Sequence, residues 1–99
     1  MRYIFEWDPS KAKQNLRKHR ISFERAAEIL LDPLAISIVD AEHSEHEERW
    51  VSIGRDKRGS ILILIHSFLE VSANECKVRI ISARSATERE TRQYEGTQL

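Results

Sequence analysis

The spacing of apolar residues predicts a strand and a helix at the start of the chain. Residues 2–7, RYIFEW, alternate Tyr3, Phe5 and Trp7 with the intervening side chains, which is typical of a short strand. Asp8 then provides an N-cap, and the proline after it suits a first helical position. We therefore predict a helix from about Pro9 to His19. Its apolar stripe is narrow, because only Ala12 and Leu16 contribute to it.

A second helix follows at once. Ser22 can cap a helix over Phe23–Leu31, and Asp32 with the following proline ends it. The residues expected to face inward share the i, i+3, i+4, i+7 spacing: Phe23, Ala26, Ala27 and Leu30.

The middle of the chain predicts strands separated by polar turns. The strand segments are LAISIVD (34–40), RWVSIG (49–54), ILILIHSF (61–68) and KVRIISA (77–83). Residues 55–59, RDKRG, predict a hairpin turn, and residues 70–75, EVSANE, predict a loop. Because 61–68 is apolar at both parities, we expect it to be a central strand.

The end of the chain predicts a helix with little apolar surface. Ser85 with Glu88, and Thr87 with Glu90, both have the spacing of a capping box. Only Ala86 and Tyr94 could anchor this helix, so we expect it to dock weakly.

A strand, two helices, a run of strands and a final helix indicate an α+β fold with a small, mostly antiparallel sheet. Two N-terminal helices would cover one face, and the C-terminal helix would follow the last strand. The other face would then form a shallow cleft. A chain of 99 residues has the length of one domain, spanning 1–99, with one core.

The distribution of charge adds to this picture, because basic and acidic residues are concentrated in different segments of the chain. Sixteen Lys and Arg balance sixteen Asp and Glu. Residues 11–20 nevertheless hold five Lys or Arg and no acid, whereas residues 40–48 hold five acids and no Lys or Arg. Zero net charge argues against a general nucleic-acid coat protein, but it permits a local footprint. The single Cys76, the absence of a long apolar run and an N-terminus unlike a secretory signal predict a cytoplasmic protein without a membrane segment.

Three phrases resemble a known family. They are FEWDPSKAKQNLRKHRISFERA (5–26), DAEHSEHEERWVSIG (40–54) and RIISARSATERE (79–90), the last followed by Tyr94 and Glu95. Together they resemble the BrnT family of bacterial toxins in the RelE-like superfamily, although Arg20 stands where that family commonly has glycine. The resemblance implies a RelE-like fold and a cofactor-free ribonuclease that cuts RNA and arrests growth. It also implies a BrnA-like ribbon-helix-helix antitoxin, through which alone the toxin would reach operator DNA.

Three arginines are the first candidates for the chemistry. The acids lie in one loop and on helix surfaces, rather than clustered on neighbouring strands as a metal-dependent nuclease requires. Cleavage would then use the 2′-hydroxyl of the RNA, with cations stabilising the phosphorane. Arg84 could grip phosphate, or pair with a helix Glu. Arg49 could be a second clamp or a surface ion pair, and Arg79 could line the cleft or be a solvated edge charge.

Other candidates carry weaker signals. Lys18 and His19 could contact phosphate or move a proton, yet cations at a helix C-terminus and a packed His are the favoured explanation. The candidates for substrate contact are Lys11, Trp7, Trp50 and Tyr94. For the aromatic residues packing is the alternative, Tyr94 by pinning the last helix. His66 is expected to be a buried core residue, and His43 with His46 a surface pair without metal.

Two other functions stay open from the sequence. The chain could be a catalytically inactive scaffold in a toxin–antitoxin repressor complex. A stand-alone DNA-binding regulator is weaker, because neither N-terminal helix is rich in base-reading residues.

Overall fold

The computed structural model describes residues 1–43 and 47–96. Within them the strands are β1 (Arg2–Glu6), β2 (Ile36–Asp40), β3 (Arg49–Arg55), β4 (Ile61–Ser72) and β5 (Glu75–Ser85). The helices are α1 (Pro9–His19), α2 (Phe23–Ala27) and α3 (Glu88–Gly96). Short 3₁₀ turns cover Glu28–Leu31 and Ala41–His43.

The strands form one sheet in the order β1-β5-β4-β3-β2, in which only the β1–β5 pair is parallel. This confirms the predicted α+β class with a mostly antiparallel sheet. Helices α1 and α2 pack against one face, called here the helix-covered face. Its core residues from the strands are Leu62, Leu64, Cys76, Val78, Ile80 and Ala83. The opposite face is called the open face.

Helix α1 has the predicted bounds because its capping chemistry is local. The Asp8 carboxylate accepts a hydrogen bond from the Ser10 N–H at 2.8 Å. The expected apolar stripe is wrong, however, since Leu16 is 49% exposed and Asn15 is buried. Asn15 points inward because its amide donates to the Ile21 carbonyl and its oxygen accepts from the Ala83 N–H. One side chain thereby satisfies a backbone carbonyl in the connection between α1 and α2 and a backbone N–H in β5.

The second helix is shorter than predicted. Ser22 caps it as expected, accepting from the Arg25 N–H at 3.1 Å, but α-helix gives way to a 3₁₀ turn after Ala27. The tighter turn buries Ile29 completely in place of Leu30. Ile29 lies against Gly54, where an added Cβ would lie 2.9 Å from the Ile29 carbonyl oxygen. Only glycine fits that close approach of β3 to the turn.

The β4–β5 hairpin is longer than predicted. The expected loop at 70–75 is instead the paired ends of both strands, with a two-residue turn at residues 73–74. Alternation there is weak and the side chains are exposed, Leu69 and Val71 among them. A register shift between Ile65 and His66 bends the hairpin.

Helix α3 packs on the open face, at the end where β4 begins and β5 ends. Its Tyr94 is only 2% exposed, and its hydroxyl donates to Asp32 Oδ2 at 2.5 Å. The Arg55 guanidinium lies 5.7 Å from the centre of the Tyr94 ring. One buried aromatic residue thus takes the place of a broad apolar face, and weak docking of α3 stays a prediction. Tyr94 is confirmed as an anchor.

The shifted capping box begins α3. The Thr87 N–H donates to Glu90 Oε1 at 2.9 Å, and the Glu90 N–H donates to Thr87 Oγ1 at 3.2 Å. The box predicted at Thr87 and Glu90 is therefore the one that forms.

Candidate functional site

Five residues form a row across the whole sheet, one from each strand. From β2 across the sheet to β1 they are Asp40, Arg49, Ser67, Arg79 and Glu6, and each is the register partner of the next. Directly paired residues point to the same face, so these five side chains lie on the open face and are called here the arginine row. Neighbouring strands are about 4.8 Å apart, which places the Cα atoms of Arg49 and Arg79 about 10 Å from each other.

The two arginines of the row are separated by one small residue. Ser67 between them is buried and small, so long side chains from both sides can extend over it. Arg79 is exposed, and within the described residues it forms no ion pair, while Arg49 is half-buried. Guanidinium groups present several N–H donors in a planar fork, which suits phosphate oxygens. The residue types of the row are therefore those that suit a phosphoryl group.

A depression of about 300 Å³ opens beside Arg79. Its lining combines a cation, two carboxylates and an indole ring: Arg79, Glu6, Asp8 and Trp7. The Trp7 ring is held by edge-to-face contact with Phe23, with centroids 5.9 Å apart. A cation, two carboxylates and an aromatic ring thus lie side by side, while the ring also packs against the core of the helix-covered face.

Arg84 lies on the open face but not with the other two arginines. Its register partner on β4 is Ile63, four residues from Ser67, or about 13 Å along the strand. Its guanidinium binds both carboxylate oxygens of Glu90, at 2.8 and 3.0 Å. These hydrogen bonds from Arg84 lower the pKa of Glu90 to about 2. Of the two alternatives for Arg84, the structure shows the pair with a helix Glu, away from Arg49 and Arg79.

The candidates on α1 do not reach the arginine row. Lys11, Lys18 and His19 belong to a helix that packs against β5 and the core of the helix-covered face. Trp50 also lies on that face, paired with His66, with its ring edge-to-face on Phe68 at 5.6 Å. Its indole N–H donates to Glu48 at 3.1 Å.

Among the predicted site residues, the row therefore joins Arg49 to Arg79, and the depression joins Arg79 to Trp7. The others are distributed over the helix-covered face, the Arg84–Glu90 pair and, for Tyr94, the buried anchor of α3.

His66 is buried, as predicted for a core residue, and it precedes Ser67 of the arginine row on β4 with its side chain on the opposite face. It is completely buried, and its Nδ1 lies 3.2 Å from the Ser67 carbonyl oxygen, which can only accept, so Nδ1 carries the proton. Nε2 then accepts from the Ser52 hydroxyl at 2.6 Å, and Ser52 pairs with Ser37 at 2.6 Å. Burial lowers the pKa of His66 to about 4.

Within the described residues, no group of three His, Cys, Asp or Glu side chains is placed to hold a metal ion. His43 Nδ1 lies 2.9 Å from Asp40 Oδ2, and His46 lies outside the described residues. Among the helices that the structure describes, none has both the length and the apolar character needed to cross a membrane.

Sequence reasoning missed three residues of the site: Ser67, Glu6 and Asp8. Ser67 carried a signal, since it is a polar residue at the parity of Ile61, Ile63 and Ile65 in an apolar strand. Its position between two arginines follows only from the strand register, which the sequence does not specify.

Comparison with known proteins first gives the class, which is the ribonuclease toxins of type II toxin–antitoxin systems. The family model described as "Ribonuclease toxin, BrnT, of type II toxin-antitoxin system" matches residues 7–90. The chain therefore belongs to the BrnT toxin family, and this membership implies an antitoxin partner.

A solved structure agrees in fold. The crystal structure of the Brucella abortus ribonuclease toxin BrnT superposes with a TM-score of 0.59 and 22% sequence identity. The match covers 89% of this chain and 100% of that one. At this identity the likeness supports the shared fold. No curated protein sequence matches the chain significantly.

Proposed function

We propose that this chain is the toxin of a cytoplasmic toxin–antitoxin pair and arrests growth by cutting RNA at the arginine row. The carrying observation is that Arg79 belongs both to the row with Arg49 and to the depression with Trp7. A nucleotide bound there would place its phosphate between two guanidinium groups and its base near an indole ring. Family membership makes RNA the substrate to consider first.

The proposed cleavage uses the substrate's own nucleophile. The ribose 2′-oxygen attacks the adjacent phosphorus, and the bond from phosphorus to the 5′-oxygen breaks. In this proposal the dianionic phosphorane between these steps is stabilised by the N–H donors of Arg49 and Arg79. The products are a 2′,3′-cyclic phosphate and a 5′-hydroxyl, whose oxygen takes its proton from solvent as the bond to phosphorus breaks, and this route needs no metal ion.

Glu6 is the proposed proton acceptor. It ends the row next to Arg79 and lines the depression, so its carboxylate is near the place where a 2′-hydroxyl would lie. Lys77 Nζ lies 3.8 Å from Glu6 Oε2. Trp7 is the proposed stacking surface for the base.

The proposed partner is a BrnA-like ribbon-helix-helix antitoxin that covers the open face and α3, and operator DNA would be bound through it alone. An apolar groove of about 220 Å³ supports this placement. Five strand residues line it beside α3: Ile36, Ile38, Val51, Ile53 and Ile63. Ile38 is 62% exposed and continuous with the other apolar residues of the groove, and contiguous exposed apolar surface is typical of interaction sites.

The test is Arg79→Ala in the purified chain, assayed on RNA. Loss of one preorganised donor to the phosphorane should lower kcat about 100-fold, with a smaller change in KM. Arg58→Ala, in the turn between β3 and β4, removes an equal charge away from the row and should cut normally. Induced in cells, the wild type should arrest growth and Arg79→Ala should not. Undiminished cleavage by Arg79→Ala, or a wild type that neither cuts RNA nor arrests growth, would overturn the proposal.

A further inference from the structure

The outer surface of α1 carries a ridge of cations. Lys13, Arg17 and Arg20 follow one another at spacings of four and three residues, so they lie side by side along the helix and at its end. All three are exposed, and they line a shallow depression together with the exposed Leu16. This set is called here the α1 ridge. It points away from the core, on the side of α1 opposite Asn15.

The charge of the α1 ridge is not neutralised by the protein. Helix α1 contains no Asp or Glu. Within residues 1–43 and 47–96, none of the three ridge side chains forms an ion pair. Like charges at i, i+4 repel, so Lys13 and Arg17 destabilise the isolated helix. The helix dipole favours cations only in the last turn, which accounts for Arg17 but not for Lys13.

The backbone gives a second, independent observation. Arg20 has φ 61°, in the left-handed region, and within the described residues it is the one non-glycine residue with positive φ. Its N–H donates to the Leu16 carbonyl at 2.9 Å and so ends α1. Glycine adopts this conformation without the steric cost that a Cβ brings. The backbone conformation alone favours glycine at this position, yet the chain has an arginine there, and its side chain is exposed to solvent.

The ridge cannot serve the phosphate held by the arginine row. Helix α1 packs against the helix-covered face, whereas Arg49 and Arg79 lie on the open face. A short oligonucleotide bound at the row would not extend around a molecule of 33 × 33 × 28 Å. A long RNA could touch both surfaces at once.

We propose that the α1 ridge is a second RNA site, which binds the phosphate backbone without reading sequence and holds the substrate away from the cut. The inference rests on the proposed function in taking RNA as the ligand. Cationic side chains that release counterions from phosphates supply this kind of affinity. Two-site contact then predicts that long RNA binds more tightly than its cleavage sequence alone.

The test compares two variants of equal charge. Lys13→Gln/Arg17→Gln removes two cations from the ridge, and Lys57→Gln/Arg58→Gln removes two from the exposed turn after β3. Binding is measured by fluorescence anisotropy at several salt concentrations. The probes are a long single-stranded RNA and an oligonucleotide of about four nucleotides. On the long RNA we expect the ridge variant to bind about 10-fold more weakly, with a salt slope smaller by about 1.4. On the short probe it should equal the wild type.

A further variant separates binding from folding. Arg20→Gly removes a cation and also relieves the left-handed arginine. We therefore expect its Tm to rise by a few degrees, while its affinity for long RNA falls several-fold. If Arg20 had only a structural role, Arg20→Gly would change the Tm and the affinity for long RNA in the same direction.

Failure of this inference is distinguishable from failure of the proposed function. The Arg49→Ala/Arg79→Ala variant should lose cleavage but keep ridge-dependent binding to long RNA. If that variant still cuts, the proposed function fails and the ridge is unaffected. If the ridge and turn variants bind long RNA equally, or the ridge variant loses affinity only for duplex DNA, the second RNA site is overturned.

Discussion

At the scale of single residues, buried polar side chains specify how the elements fit together. Within the described residues every buried side-chain nitrogen and oxygen has a hydrogen-bond partner. Asn15 joins α1 to β5, and Asp32 accepts from Tyr94 of α3 and the Arg55 N–H of β3. His66 joins β3 to β4 through Ser52. Because an unpaired buried polar group costs about 1–3 kcal/mol, each of these residues penalises a wrong arrangement.

His66 predicts a pH dependence of stability. Its pKa is lowered to about 4 in the folded protein by burial, from 6.5, so the unfolded chain binds this proton more readily. Stability from the neutral ring is therefore complete above pH 6.5 and falls as the pH drops toward 4. The loss should reach about 3 kcal/mol, at about 1.4 kcal/mol per pH unit. Urea unfolding between pH 7 and pH 4, followed by fluorescence of the tryptophans, measures it.

Two glutamine variants serve as controls for His66. His66→Gln keeps a hydrogen-bonding amide but does not titrate, so its free energy of unfolding should depend less on pH over this range. His43→Gln removes an exposed histidine and should keep the wild-type slope. Equal slopes in the wild type and His66→Gln would show that the buried ring is not the titrating group.

At the scale of elements, the sequence predicts well what local chemistry determines. The bounds of α1 and the start of α3 follow from capping residues next to them in sequence, and both predictions are confirmed. The length of the β4–β5 hairpin could not be predicted, because its ends are polar and pair only through the long strands before them. The arginine row depends likewise on the register of five strands. Leu16 was misplaced because hydrophobicity ranks it above Asn15, although only Asn15 can satisfy β5.

The hydrogen bond of the Tyr94 hydroxyl predicts how a single substitution changes the docking of α3. Tyr94→Phe keeps the buried ring but removes the hydrogen bond to the Asp32 carboxylate, a charged acceptor. We expect a loss of about 1.5 kcal/mol, and hydrogen exchange of α3 amides that is about 10-fold faster. Tyr3→Phe is the matched control, since the Tyr3 hydroxyl forms no hydrogen bond within the described residues. Unchanged exchange in Tyr94→Phe would place the anchor elsewhere, in the Arg84–Glu90 pair.

At the scale of the whole molecule, equal numbers of opposite charges are used differently. Many of the described carboxylates hold the fold together: Asp8, Asp32, Asp56 and Glu90 cap helices or bind backbone and arginine groups. Cations remain unneutralised on both sides of the sheet, at Arg79 on the open face and along the α1 ridge. A neutral chain can thus present the two cationic surfaces that we propose for RNA, because the local field depends on placement and not on the sum.

This division of roles predicts how cleavage responds to metal removal and to the sugar. If Arg49 and Arg79 stabilise the phosphorane, RNA cleavage should proceed at the same rate in excess EDTA as without it. A substrate with a single 2′-deoxy nucleotide at the cut should not be cleaved there, because the attacking oxygen is gone. The product should carry a cyclic phosphate, seen by mass spectrometry as 18 Da lighter than the hydrolysed form, roughly one water. Cleavage abolished by EDTA and restored by Mg²⁺, or persisting at the 2′-deoxy position, would mean that a metal-activated water attacks and that the arginines only bind the strand.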